Sequence, residues 1–200
     1  MGCMPDSFTR LQLDPPLVRA RHVGYSVRMV AEIAAHYDEP MDSSEFRTAR
    51  CMADAFYVHV RLLAEFLVRT PKGGDFAPAD FGIAWEAPGG AATARLGEVW
   101  DVASKYVVHF GGRRVPKCPD DASEFTVGGP CFRQLAGDAL EVYSVFVDAV
   151  AAVTPDWTNG GGALIPDPVP DPDGWRARTR SDALRELRSA RDEARKELGP

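Results

Sequence analysis

Two hundred residues, of which 45% are apolar, can bury a core for one domain with an appendage. A formal net charge of -6 argues against a molecule that binds nucleic acid with its whole surface, since such proteins carry a basic face, and leaves only local basic patches for that purpose. No apolar run reaches the roughly 18 residues of a membrane-spanning helix; the best, 142–153, is short and carries Asp148. The segment after Met1 has Pro5 and Asp6 where an export signal has basic and then apolar residues, so the expectation is a cytoplasmic protein with no membrane contact. Asp6 also stands where a myristoylation motif needs Ser or Thr. Cys3, Cys51, Cys118 and Cys131 show no CxxC spacing, which fits reduced thiols better than disulfides or a zinc site.

In chain order, residues 1–16 read as irregular and close on Pro15-Pro16, and 17–38 has helical composition with a mixed apolar stripe. Glu39-Pro40 then turns the chain. Residues 42–70, DSSEFRTARCMADAFYVHVRLLAEFLVRT, form the clearest helix: Phe46, Ala49, Ala53, Phe56, Val60, Leu63 and Leu67 recur every three or four positions. Asp42 or Ser43 can cap its start, and Pro71 with Gly73-Gly74 ends it. The link before it is so short that the first two helices must lie antiparallel. The next stretch has turn residues but also Phe76, Phe81, Ile83 and Trp85, so it is expected to fold over the helices rather than hang free. A third helix runs from Ala92 to Phe110 and stops at Gly111-Gly112. After a polar connection a fourth begins near Pro130, with Phe132, Leu135, Ala139, Val142, Tyr143, Phe146 and Val150 at helical spacing.

Residues 156–174 hold four prolines and the glycine run 160–162, the composition of a linker. From Arg176 to Glu197 there are eight basic and five acidic residues, a net of +3 that leaves -9 for the remainder. Leu184, Leu187, Ala190 and Ala194 give this stretch only a thin apolar stripe, so it reads as a marginal helix that needs a partner. The fold class expected is all-α: an antiparallel up-and-down four-helix bundle over 1–155, a linker over 156–174 and a charged helical tail over 175–200. Removal of the tail after Gly174 is expected to leave the bundle's stability nearly intact.

His109 is the first candidate for chemistry. It lies near the expected end of the third helix in SKYVVHFGGRR, where a histidine can move protons and nearby Lys105, Arg113 and Arg114 can stabilise charge building on a phosphate. The plainer reading is a histidine placed against the dipole of a helix C-terminus. His59, Arg61 and Glu65 form a second set; Arg61 and Glu65 are four apart, which predicts an ion pair along one helix face, and His59 flanks the apolar stripe as a half-buried ring. Glu32 and His36 share a helix face and could join His59 and His109 in a metal site, but no Glu-x-x-His motif supports this and helix four adds only Asp138 and Glu141. No P-loop, GxGxxG or GxSxG motif is present, so no cofactor is expected.

Three motifs carry a resemblance: HVRLLAEFL at residues 59–67, the aromatic loop with Asp80, Phe81 and Trp85, and the helix ending in K-x-x-x-H-F at Lys105 to Phe110. Over residues 20–153 the chain resembles a family of bacterial helical-bundle proteins similar to the HEPN superfamily. That resemblance implies a helical bundle that dimerises and, in many members, cuts RNA without metal in toxin or defence systems. His109 matches the superfamily's histidine. The arginine that should precede it with four to six residues between is missing, since Val102, Ala103 and Ser104 stand there. Lys105, on the same face as His109, is a weaker point-charge substitute for a bidentate guanidinium. Two hypotheses follow. In one, the chain is a degenerate metal-independent ribonuclease, homodimeric and binding RNA, with His109 as proton-transfer residue and Lys105, Ser104 and Arg113 as phosphate partners. In the other, the bundle is a non-enzymatic interaction module whose charged tail binds a protein partner.

Overall fold

A computed structural model describes residues 15–37, 46–72, 76–104, 129–158 and 175–199. Among these the protein is all-α, with α1 Pro15–His36, α2 Phe46–Leu67, α3 Ala91–Ala103, α4 Gly129–Thr158 and α5 Trp175–Leu198, and a short 3-10 turn at Pro78–Phe81. The helix α1 starts two residues earlier than the sequence suggests, because prolines in a first turn lose no hydrogen bond. The capping residues expected at Asp42 and Ser43 lie outside the described residues.

Apolar periodicity on α2 translates directly into burial. Phe56, Val60, Leu63 and Leu67 are sealed in the core, joined by Ala64 and Phe66, which broaden the stripe. Phe56 stacks on Phe132 of α4 at 4.1 Å, and Phe66 meets Phe146 of α4 edge to face at 5.2 Å, so α2 and α4 run in the same direction. The pairs Arg61 with Ser104 and Val68 with Gly97 run in opposite order, which sets α3 antiparallel to α2. Ser26 of α1 faces His59 while Val18 and His22 share a groove with Phe66, so α1 is also antiparallel to α2.

The aromatic stretch after α2 is folded over the helices. Asp80 accepts the Ala77 amide at 2.7 Å, Gly82 takes a left-handed φ of 76°, and Phe81 is thereby turned inward to complete burial. Trp85 lies edge-on to Phe146 at 5.6 Å and donates its indole N–H to the Leu67 carbonyl at 2.8 Å. That bond satisfies one of the carbonyls left bare where α2 ends, and gives a physical reason for the helix ending at Leu67 rather than at Thr70.

The charged C-terminal segment departs most from expectation. It forms α5, which lies along α1 and also touches α4, burying Ala183, Leu184, Leu187, Ala190 and Ala194. Alanines let the two backbones approach: a Cβ on Gly24 would stand 3.0 Å from the Ala190 Cβ. Arg28 of α1 bonds Glu186 at 2.8 Å and Glu193 at 2.5 Å, while Arg191 reaches Asp148 of α4 at 2.8 Å. Inside, the Tyr143 hydroxyl donates to the Leu187 carbonyl at 3.0 Å. Near its start α5 neighbours Leu17 and Arg21, and near its end Glu32 and His36, so it runs parallel to α1. The segment read as an appended tail therefore contributes core surface. Its coverage of the second flank of α1 explains why that helix shows a mixed stripe.

Candidate functional site

Of the residues singled out around the third helix, Ser104 is described, and Lys105, His109 and Arg113 lie outside the described residues. Ser104 is buried directly after α3, and its hydroxyl accepts the Arg61 Nε–H at 2.9 Å. The other arm of the same guanidinium pairs with Glu65 at 3.2 Å, the ion pair that the i to i+4 spacing predicts. Arg61 and Arg69 both approach the Trp100 ring, at 5.6 Å and 4.3 Å from its centroid. The Trp100 indole nitrogen is buried without a hydrogen-bond partner among the described residues. A guanidinium is thus fixed against the last described residue before Lys105. It comes from α2, 43 positions away in sequence.

His59 does not share this face. Two residues apart on a helix are separated by about 200°, so Arg61 points to α3 while His59 points to α1. There, His59 Nδ1 lies 3.2 Å from the Ser26 hydroxyl, which in turn donates to the His22 carbonyl at 3.2 Å. A hydroxyl has one proton, and once it is donated to that carbonyl the imidazole must supply the Nδ1–H, leaving the Nε2 lone pair as an acceptor. Burial holds the His59 pKa below its ordinary value and so favours the neutral ring. Tyr25 meets it edge-on at 5.3 Å.

These side chains line a groove between α1 and α2 with a volume of about 730 Å³. Its walls are largely apolar, and three of the large apolar side chains that the protein leaves exposed converge on it: Tyr25, Leu62 and Phe76. Charges at its rim already have partners, Arg19 with Asp80 at 3.2 Å and Glu65 with Arg61. Sequence reasoning placed His59 beside the apolar stripe but missed Ser26 and the groove. The available signal was a serine set among Val23, Val27 and Val30 on a buried face.

Glu32 and His36, two further members of the possible metal set, line with the α5 residues Glu193 and Glu197 a separate hollow, away from His59, and His109 lies outside the described residues. Among the described residues no three such side chains are grouped so that they could hold a metal ion, and no helix is long and apolar enough to cross a membrane. No family model, curated protein or solved structure matches this chain.

Proposed function

We propose that this protein is a HEPN-like helical bundle that acts on RNA, in RNA metabolism or defence, as a cytoplasmic homodimer paired through its α2 or α3 faces. In this reading α1 to α4 are the up-and-down four-helix bundle and α5 is an added strut. His109 carries the proton, and Lys105 and Arg113 hold the phosphate without metal. The observation that carries it is the Arg61 guanidinium bonded to Ser104 at 2.9 Å. It brings to the approach to Lys105 the kind of planar donor that the local sequence lacks. Trp100 with two arginines against its ring supports this reading, as a cation-and-ring surface of the kind that binds single-stranded RNA.

The test is cleavage of a generic single-stranded RNA in EDTA. Wild-type protein is expected to cut, and His109→Ala to lower the rate by about 10²-fold or more, the usual share of a general acid–base group. Equal cleavage by the variant removes His109 from any role. A second reading, a non-enzymatic interaction module, is favoured by one observation. The Ser104 side chain is buried, which takes it out of the set of free phosphate partners. Absence of cleavage by wild-type protein selects that reading.

A further inference from the structure

We propose that the groove between α1 and α2 is a binding site for an uncharged small molecule with a flat apolar body and one hydrogen-bonding group, the chemistry of an aromatic alcohol or ketone. This goes beyond the RNA reading, and none of that reading's residues lines the groove.

Size comes first. A volume of about 730 Å³ falls within the range of roughly 300–1,000 Å³ that holds small ligands. Along α1 the walls extend from Val18 to Ser26, about two helical turns or roughly 12 Å, the length of a few fused rings. Shape and surface agree, because Tyr25, Leu62 and Phe76 stay exposed at its mouth while Leu63 and Phe66 form its floor. An apolar body entering here covers surface that the folded chain leaves in water.

Charge then narrows the class. Among the described residues the rim charges are already paired, Arg19 with Asp80 and Glu65 with Arg61, so neither is left as a free counterion for a carboxylate or an ammonium ligand. The polar side chains lining the interior are His22 and the Ser26–His59 pair, the pair being uncharged while the His59 imidazole is neutral. With its Nδ1–H donated to Ser26, His59 offers one acceptor at Nε2, and a ligand hydroxyl is its natural complement. A second copy of the chain would be the other occupant, but a patch of this size with a half-buried polar pair resembles a pocket more than the roughly 800 Å² per partner of a stable interface.

The experiment titrates the full chain with 2-naphthol, naphthalene and 2-naphthoate at neutral pH, following ligand fluorescence. Expected are a dissociation constant for 2-naphthol below about 100 µM, and binding of 2-naphthoate weaker by about tenfold or more. Leu62→Glu alters an exposed position and so spares the fold; it is expected to weaken 2-naphthol by about tenfold. His59→Phe keeps a ring but removes the acceptor, and is expected to erase the preference for 2-naphthol over naphthalene, about fivefold, which one hydrogen bond supplies. The inference is overturned if 2-naphthol fails to bind, if 2-naphthoate binds as tightly, or if Leu62→Glu leaves binding unchanged. It is also overturned if sedimentation shows a dimer that Leu62→Glu separates while 2-naphthol does not bind, which would assign the groove to a second copy. None of these results depends on RNA cleavage, so the two proposals fail separately.

Discussion

His59 gains a hydrogen bond to Ser26 but loses water, and the loss dominates because burial holds its pKa below the ordinary value. The unfolded chain protonates this ring near pH 6.5 while the folded chain resists, so between those two pKa values the unfolded state holds more protons. Stability contributed here is therefore unchanged above about pH 6.5 and falls as pH drops below it. Urea midpoints are expected to fall between about pH 7.5 and 5.5, and His59→Gln is expected to flatten that dependence; an equal slope in both proteins refutes the assignment. Glu193 acts in a separate window. Its hydrogen bond from Arg28 lowers its pKa, so its contribution holds above the ordinary carboxylate range and is lost only as pH falls through the depressed value. At this scale the sequence is legible where partners are close along the chain, as for Arg61 and Glu65 four residues apart. The Ser26–His59 pair spans 33 positions and Arg61–Ser104 spans 43, and no local pattern encodes either.

At the scale of elements, periodicity located the described helices because each buries a stripe: α2 through Phe56, Val60, Leu63 and Leu67, α4 through Phe132, Leu135, Ala139, Val142, Phe146 and Val150. The segment that became α5 misled for a physical reason. Its stripe is narrow because its neighbour is close, and Gly24 opposite Ala190 lets the two backbones approach where large apolar side chains would hold them apart. A thin stripe of alanines thus marks intimate packing as readily as weak packing. Replacing Leu187 alone with alanine removes a fully buried side chain, a change that costs about 2–5 kcal/mol. Truncation after Gly174 removes Leu187 together with Ala183, Leu184, Ala190 and Ala194, and uncovers the flank of α1 and the Tyr143 hydroxyl. The truncated chain is expected to lose its cooperative thermal transition, read by circular dichroism. A transition within about 3 °C of the full chain's would show that α5 contributes little.

For the whole molecule, a net charge of -6 limits how RNA can be held. The cations of the proposed RNA site are few, Arg61 and Arg69 beside Trp100 with Lys105 and Arg113, and single strands give a slope of about -0.7 per phosphate neutralised. The logarithm of RNA affinity is expected to fall with the logarithm of salt at a slope no steeper than about -3, measured by fluorescence anisotropy. A much steeper slope would require a larger basic face than this set provides. The parallel pairing of α1 with α5 has a last effect, on how the chain matures. Arg28 and Glu193 stand 165 positions apart, so as a ribosome makes the protein α1 emerges long before the helix that covers its flank. At 5–20 residues per second that interval is roughly 10–30 s. During synthesis the nascent α1 must keep that flank uncovered or lend it to a chaperone, and a ribosome stalled before α5 would release an intermediate prone to stick to its neighbours.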